Sequence, residues 1–151
     1  MINREERDKY AQLLRDFISG KITNFEYEDK FDEQILISDT AIDQIYCEMW
    51  HTYCDIRKHK LTDSQWYQDD REFNKTVIRF VLFLHSDLEY EWPRKSIGKL
   101  LLNLLSFGIC NKLDTTKEMK EDGDINVWPF FREKDYEHAL SNPRLLNAKV
   151  I

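Results

Sequence analysis

Residues 73–84 form the most nearly all-apolar stretch of this chain, reading Phe73-Asn74-Lys75-Thr76-Val77-Ile78-Arg79-Phe80-Val81-Leu82-Phe83-Leu84. Five of its apolar residues recur at the i, i+4, i+7, i+8 and i+11 spacing of one helix face, namely Phe73, Val77, Phe80, Val81 and Leu84. Three more fill most of the remaining circumference, namely Ile78, Leu82 and Phe83. A helix that is apolar nearly all round is a buried helix. The sequence therefore predicts a central buried helix, capped by Asp69 or Asp70 and ending near Ser86.

The composition predicts a globular protein with one substantial core. The chain has 151 residues, of which 13% are aromatic, and it carries a net charge of −6. That charge disfavours general binding to nucleic acid, whose affinity depends on neutralising phosphates, and it suits a basic partner. The polar segment Met1–Arg7 does not resemble a signal peptide, and the apolar run is too short for a membrane span. Because three cysteines also fit free thiols in a reducing compartment, we expect a cytoplasmic protein that does not bind membranes.

Helical spacing and few glycines or prolines predict a mainly α fold, with residues 1–151 forming a single domain of about five to six helices. Besides the central helix, the predicted helices run from Arg4 to Ser19, from the capping box Thr23–Glu26 to Leu36, from Thr40 to Lys58, from Pro93 or Ser96 to Gly108, and from Glu133 to Leu140. Asn3 is the expected N-cap of the first helix and Gly20 its left-handed stop. Either Ser38 or Asp39 should cap the third helix.

Two segments rich in aromatic residues and proline break the helical pattern. From Asp87 to Trp92 the period switches to two, which places Leu88, Tyr90 and Trp92 on one side and three carboxylates on the other. We expect an extended segment there and a second one at Val127–Phe131, packed on the helices. Arg79, inside the central helix, needs an acidic partner, for which Asp87, Glu89 and Glu91 are candidates.

The residues with metal-binding or catalytic chemistry form no recognisable site. Cys47, His51 and Cys54 lie at i, i+4 and i+7 on the third helix, which is geometrically possible for zinc. No second pair of ligands accompanies them, so buried structural cysteines are the favoured interpretation. The chain also lacks the usual phosphate-loop and nucleophile-elbow motifs. We therefore expect no bound metal, no cofactor and no enzymatic activity.

Acidic surfaces are the remaining candidates for function. Residues 26–43 hold seven carboxylates against one lysine, and they could be a solvated face or a docking surface for a basic partner. The basic run from Arg57 to Lys60 is interpreted as cations that cap the C-terminal, negative end of the third helix dipole and aid solubility. The candidate partner-binding residues, from both acidic surfaces, are Glu26, Asp29, Asp32, Glu33, Asp39, Asp43, Asp87, Glu89 and Glu91.

Several sequence strings resemble a group of small uncharacterised bacterial proteins. They are Ser86-Asp87-Leu88-Glu89-Tyr90-Glu91-Trp92-Pro93, Val127-Trp128-Pro129-Phe130, Asp135-Tyr136-Glu137-x-Ala139 and the start at Phe17 to Asn24. The resemblance implies a cytosolic helical protein and no particular reaction. In size, acidity and helical character the chain is also similar to immunity proteins of bacterial toxin systems, including contact-dependent growth inhibition.

The leading functional hypothesis is a cytosolic immunity protein that blocks a cognate toxin domain by occlusion. The toxin would be basic and is expected to be a nuclease, since an active cleft that holds phosphates is usually basic. Two other classes remain open, a small enzyme of unknown reaction and a structural or regulatory adaptor. An enzyme would need a concave pocket with convergent polar groups and perturbed carboxylates, whereas an immunity protein needs an exposed acidic surface.

Overall fold

The computed structural model describes residues 2–52, 56–63, 71–92 and 123–142. This part of the chain is mainly helical, as predicted, and contains no strand. Its α-helices are α1 (Arg4–Ile18), α2 (Asn24–Gln34), α3 (Thr40–Met49), α4 (Arg71–His85) and α5 (Glu133–Ser141). Short 3₁₀ turns occur at Trp50–Thr52, Leu61–Asp63 and Ile125–Val127. Within the described ranges, no helix has both the length and the apolar character needed to cross a membrane.

The predicted central helix is α4, which packs against α1, α3 and α5. Six of its predicted core residues are at most 4% exposed, namely Val77, Phe80, Val81, Leu82, Phe83 and Leu84. The prediction that Ile78 is buried is wrong, since the structure shows it 40% exposed. It lies one turn after Asn74 and Lys75, which are also exposed, so this side of α4 faces solvent. The helix is therefore central but not apolar all round.

The local signals at the ends of the first helices are confirmed. Asn3 caps α1 by accepting a hydrogen bond from the backbone N–H of Glu6, and Thr23 and Glu26 form the capping box of α2. Gly20 has a φ of +69°, and a Cβ at this position would lie 2.2 Å from Oγ1 of Thr62. Both the backbone conformation and the close approach of Leu61–Asp63 therefore require glycine.

Helix α3 ends at Met49, earlier than the predicted end at Lys58. The chain tightens into the Trp50–Thr52 turn, where the Thr52 hydroxyl donates to the Met49 carbonyl at 2.6 Å. Farther on, the buried side chain of Asn24 accepts from the backbone N–H of His59 at 2.8 Å and donates to the carbonyl of Arg57 at 3.1 Å. Residues 57–60 therefore lie along the start of α2, and their predicted place at a helix C-terminus is wrong.

The alternation predicted for Asp87–Trp92 is confirmed in a segment without helix. Trp92 is 3% exposed and Leu88 and Tyr90 are partly buried, while the three carboxylates point to solvent. The Trp92 indole N–H donates to the carbonyl of Phe130 at 3.0 Å, and the Trp128 indole N–H donates to the Tyr90 hydroxyl at 3.0 Å. The two segments that the sequence singles out therefore hold each other in place.

The second of these segments, Val127–Phe131, is not extended as predicted. Asp124 caps a 3₁₀ turn at Ile125–Val127. After this turn, the peptide bond between Trp128 and Pro129 is cis. The predicted packing is nevertheless present, since Phe130 is fully buried. In α5, Ala139 is buried. Leu140, four residues after Tyr136, is predicted by helical spacing to anchor this helix to the core, but it is 45% exposed.

Some predictions lie outside the described residues. They are the caps Asp69 and Asp70, the helix from Pro93 or Ser96 to Gly108, and most of the polar, acidic segment from Asn111 to Asn126, which the sequence predicts as a long loop. Tyr53 and Cys54, predicted on the third helix, also lie outside them.

Candidate functional site

The outer side of α2 carries an exposed row of carboxylates. Tyr27 and Phe31 are buried on the inner side, at 4% and 1% exposure, and Ile35 follows them at the end of the helix. The opposite side exposes four acids, which we call the α2 acidic face: Glu26, Asp29, Asp32 and Glu33. Since the inner side belongs to the core, the position of this face is set by the fold.

The acids of the α2 acidic face differ in their surroundings. The Glu26 carboxylate accepts from the backbone N–H and the hydroxyl of Thr23, both at 2.8 Å, and lies 4.0 Å from Lys58. These hydrogen bonds lower the pKa of Glu26. In the described part of the chain, no ion pair engages Asp29, Asp32 or Glu33. These three charges are therefore fully available to a partner.

Asp39 is not on the surface, which corrects its prediction as a partner-binding residue. It is 3% exposed, caps α3 through the backbone N–H of Ala41, and accepts from Nε of the fully buried Arg7 at 2.5 Å. Burial acts to raise the pKa of Asp39, but the hydrogen bonds and charge of Arg7 outweigh it, so the pKa is lowered. This carboxylate is therefore ionised and committed to the interior.

Asp43, one turn farther along α3, is half-buried. It lines a shallow pocket of about 120 Å³ together with Ile37, Ser38, Asp39 and Thr40. Pockets for small-molecule ligands usually measure about 300–1,000 Å³. The pocket is therefore small for an organic substrate, and Asp43 is only partly accessible to a protein partner.

The second predicted surface, Asp87, Glu89 and Glu91, is exposed but partly engaged in ion pairs. Both carboxylate oxygens of Glu91 accept from Arg132 at 3.0 Å, and Asp87 lies 3.4 Å from Arg4. The predicted pairing of Arg79 with one of these three acids is wrong. Its guanidinium instead donates to the Asn126 carbonyl and to the Thr76 hydroxyl. Of the two acidic surfaces, the α2 acidic face thus offers more unpaired charge.

A buried polar cluster joins the start of α1 to the end of α4. Arg7 donates to the carbonyls of Ser86 and Leu88 at 3.2 and 2.8 Å, and Arg4 donates to Ser86 at 2.9 Å and also to the Leu84 carbonyl. Arginine side chains thereby satisfy carbonyls at a helix C-terminus, where positive charge is favoured. The cluster fixes the direction in which residues 87–92 leave α4.

His85, beside this cluster, is paired with a carboxylate, an arrangement that also occurs in catalytic sites. Its Nδ1 lies 3.0 Å from the Asp8 carboxylate, and its side chain is 4% exposed. Burial lowers the pKa of His85, and the charges of Arg15 and Arg4 act in the same direction, outweighing the raising effect of Asp8. The imidazole is therefore neutral at pH 7. Its Nε2 is buried and has no hydrogen-bond partner among the described residues.

The possible zinc ligands are only partly described. Cys47 is exposed on α3, so its interpretation as a buried structural cysteine is wrong. Cys54 lies outside the described residues. Over the ranges that the structure describes, no group of three or more histidine, cysteine, aspartate or glutamate side chains is placed to hold a metal ion.

Sequence reasoning missed two features. Arg7 lies three residues before Tyr10 and seven before Leu14, so helical spacing already places it on the buried side of α1. Helical spacing also places Trp50, four residues after Tyr46, on the inner side of the predicted third helix, but its side chain is 46% exposed. The burial of Arg7 could have been predicted from the sequence, whereas the exposure of Trp50 could not.

Comparisons with known proteins add no assignment to this geometry. No family model matches the chain, and no curated protein and no solved structure is significantly similar to it.

Proposed function

We propose that this protein is an immunity protein, which binds a basic toxin domain through the α2 acidic face and blocks it by occlusion. The observation that carries the proposal is the unpaired charge of Asp29, Asp32 and Glu33, exposed on a helix whose other side is buried. Most exposed acids on soluble proteins are merely solvated, so the proposal depends on their alignment and fixed position.

Rigid presentation of charge is useful to an inhibitor of a nuclease. A nuclease holds phosphates, and its cleft is therefore usually basic. Aligned carboxylates on a firmly packed helix accelerate association with such a cleft and disfavour partners of the wrong charge. The chain need perform no reaction, because covering the cleft is sufficient to inhibit the toxin.

The predicted partner is the product of the gene immediately upstream, expected to be a large secreted protein with a variable C-terminal toxin domain. We expect the Asp29→Lys, Asp32→Lys, Glu33→Lys triple variant to lose at least about thirtyfold in affinity for that toxin domain. The reason is that one desolvated interfacial charge can contribute about 2 kcal/mol to binding. Calorimetric titration at several salt concentrations measures both the affinity and its salt dependence.

A matched control reverses three exposed acids on other helices, Glu5, Glu72 and Glu137, and changes the net charge equally. Circular dichroism establishes that both variants fold. The proposed function is wrong if the wild-type protein does not bind the upstream product. The proposed site is wrong if the two triple variants weaken binding equally, because only overall charge would then matter.

A further inference from the structure

Two large apolar side chains lie in solvent where the chain passes from α2 to α3. Leu36 is 67% exposed and Ile37 is 54% exposed, whereas the preceding Ile35 is buried in the core. Single exposed apolar residues are common on soluble proteins, but consecutive ones place their apolar surfaces side by side. We call Leu36 and Ile37 the apolar pair.

Hydrogen bonds hold the backbone of the apolar pair in place. The Leu36 N–H donates to the carboxylate of the buried Glu6 on α1 at 2.7 Å. The Leu36 carbonyl accepts from the Ser38 N–H at 2.8 Å, which closes a three-residue turn centred on Ile37. The Ser38 hydroxyl accepts from the Asn3 side chain at 3.1 Å. Because these bonds fix the turn against the start of α1, little backbone freedom remains to be lost when a partner covers the pair.

An acidic side chain lies near each member of the apolar pair. Glu33, in the α2 acidic face, comes three residues before Leu36, a length of chain that spans at most about 11 Å. Ile37 lines the same shallow pocket as the half-buried Asp43 of α3. The apolar pair therefore extends the α2 acidic face beyond the end of the helix. Apolar surface bordered by polar groups is the usual arrangement of a protein interface.

We propose that the apolar pair anchors the toxin domain by entering an apolar depression of the partner that is bordered by basic side chains. This inference rests on the proposed function, because it names what the partner presents to the same surface. Complementary charge mainly accelerates association and selects the partner. Burial of apolar surface is the dominant favourable term in most protein association. An inhibitor that acts by occlusion therefore needs apolar contact beside its acids.

The flanking charges favour a basic partner over a second copy of this chain. In a two-fold symmetric dimer the same patch lies on both sides of the interface. Glu33 and Asp43 of one copy would then approach the same acids of the other copy, and like charges brought together across an interface are strongly unfavourable. Basic side chains on a toxin turn the same charges into attractive ones.

Truncation of the apolar pair tests the anchor. We expect the Leu36→Ala, Ile37→Ala double variant to bind the upstream toxin domain at least about tenfold more weakly, because it removes apolar carbons from both side chains. The salt dependence of binding should stay as in the wild-type protein, since no charge changes. The negative heat capacity change of binding should become smaller, since less apolar surface is buried. Calorimetric titration at several temperatures and salt concentrations measures all three.

The matched control is the Ile125→Ala, Leu140→Ala double variant. It also truncates one isoleucine and one leucine, which are 42% and 45% exposed at other places on the protein. The control should bind the toxin domain as tightly as the wild-type protein does. Circular dichroism establishes that both double variants fold. Analytical ultracentrifugation of the wild-type protein alone should show a monomer.

The inference is overturned if Leu36→Ala, Ile37→Ala binds the toxin domain as tightly as the control does. It is also overturned if the wild-type protein forms a dimer that this variant does not form, because the apolar pair would then be a contact between copies of the chain. Its failure is distinct from failure of the proposed function. If the upstream product binds the wild-type protein and both double variants equally, the immunity function stands without this anchor. If the wild-type protein does not bind that product, both proposals are wrong.

Discussion

Replacing Asp39 with alanine should lower the free energy of unfolding by about 3–5 kcal/mol, the usual cost of removing one partner from a buried ion pair. The Arg7 guanidinium would remain buried with its charge uncompensated, since Arg7 is 0% exposed and pairs with Asp39 at 2.5 Å. The substitution also removes the acceptor for the backbone N–H of Ala41 at the start of α3. Urea denaturation followed by circular dichroism measures the loss.

The effect should be specific to the buried pair. Asp29→Ala, which removes an exposed carboxylate from α2, should change stability by no more than about 0.5 kcal/mol. The pKa of Asp39 is lowered in the folded protein, so its contribution is present above the unfolded value near 3.9 and is lost as the pH falls through the folded value. The difference in the free energy of unfolding between the wild-type protein and Asp39→Ala should therefore become smaller at acidic pH. Equal effects of the two alanine variants at neutral pH would contradict this account.

Replacing Phe80 with alanine should also lower the free energy of unfolding by about 3–5 kcal/mol. Phe80 is 1% exposed in α4, and its ring meets Trp128 edge-on with centroids 5.2 Å apart. Truncation therefore leaves a cavity between α4 and the Ile125–Val127 turn. The control, Ile78→Ala, alters the exposed side of the same helix and should cost about 1 kcal/mol or less. If Phe80→Ala were as mild as Ile78→Ala in urea denaturation, α4 would not be the centre of the core.

Helical spacing predicted most of the described fold because the buried sides of the helices follow a single period. The burial of Val77, Phe80 and Leu84 follows directly from that spacing. That residues 57–59 lie outside a helix could not be predicted, because they form hydrogen bonds with Asn24, which is distant in sequence. Local propensity alone favoured a longer helix, and tertiary contacts overrode it.

The candidate site was predictable to a similar extent. The spacing of Asp29, Asp32 and Glu33 relative to the apolar residues of α2 was sufficient to place them in solvent. The position of Asp39 predicted its role as a helix cap but not its burial, because that burial depends on Arg7 from another helix.

The most direct test of the central claim, that the partner binds through the α2 acidic face, is hydrogen–deuterium exchange of the protein alone and in complex with the upstream gene product. We expect binding to slow exchange in Asn24–Gln34, with no change in Glu133–Ser141. Slower exchange confined to residues 87–92 and α5 would place the partner on the other acidic surface and contradict the claim.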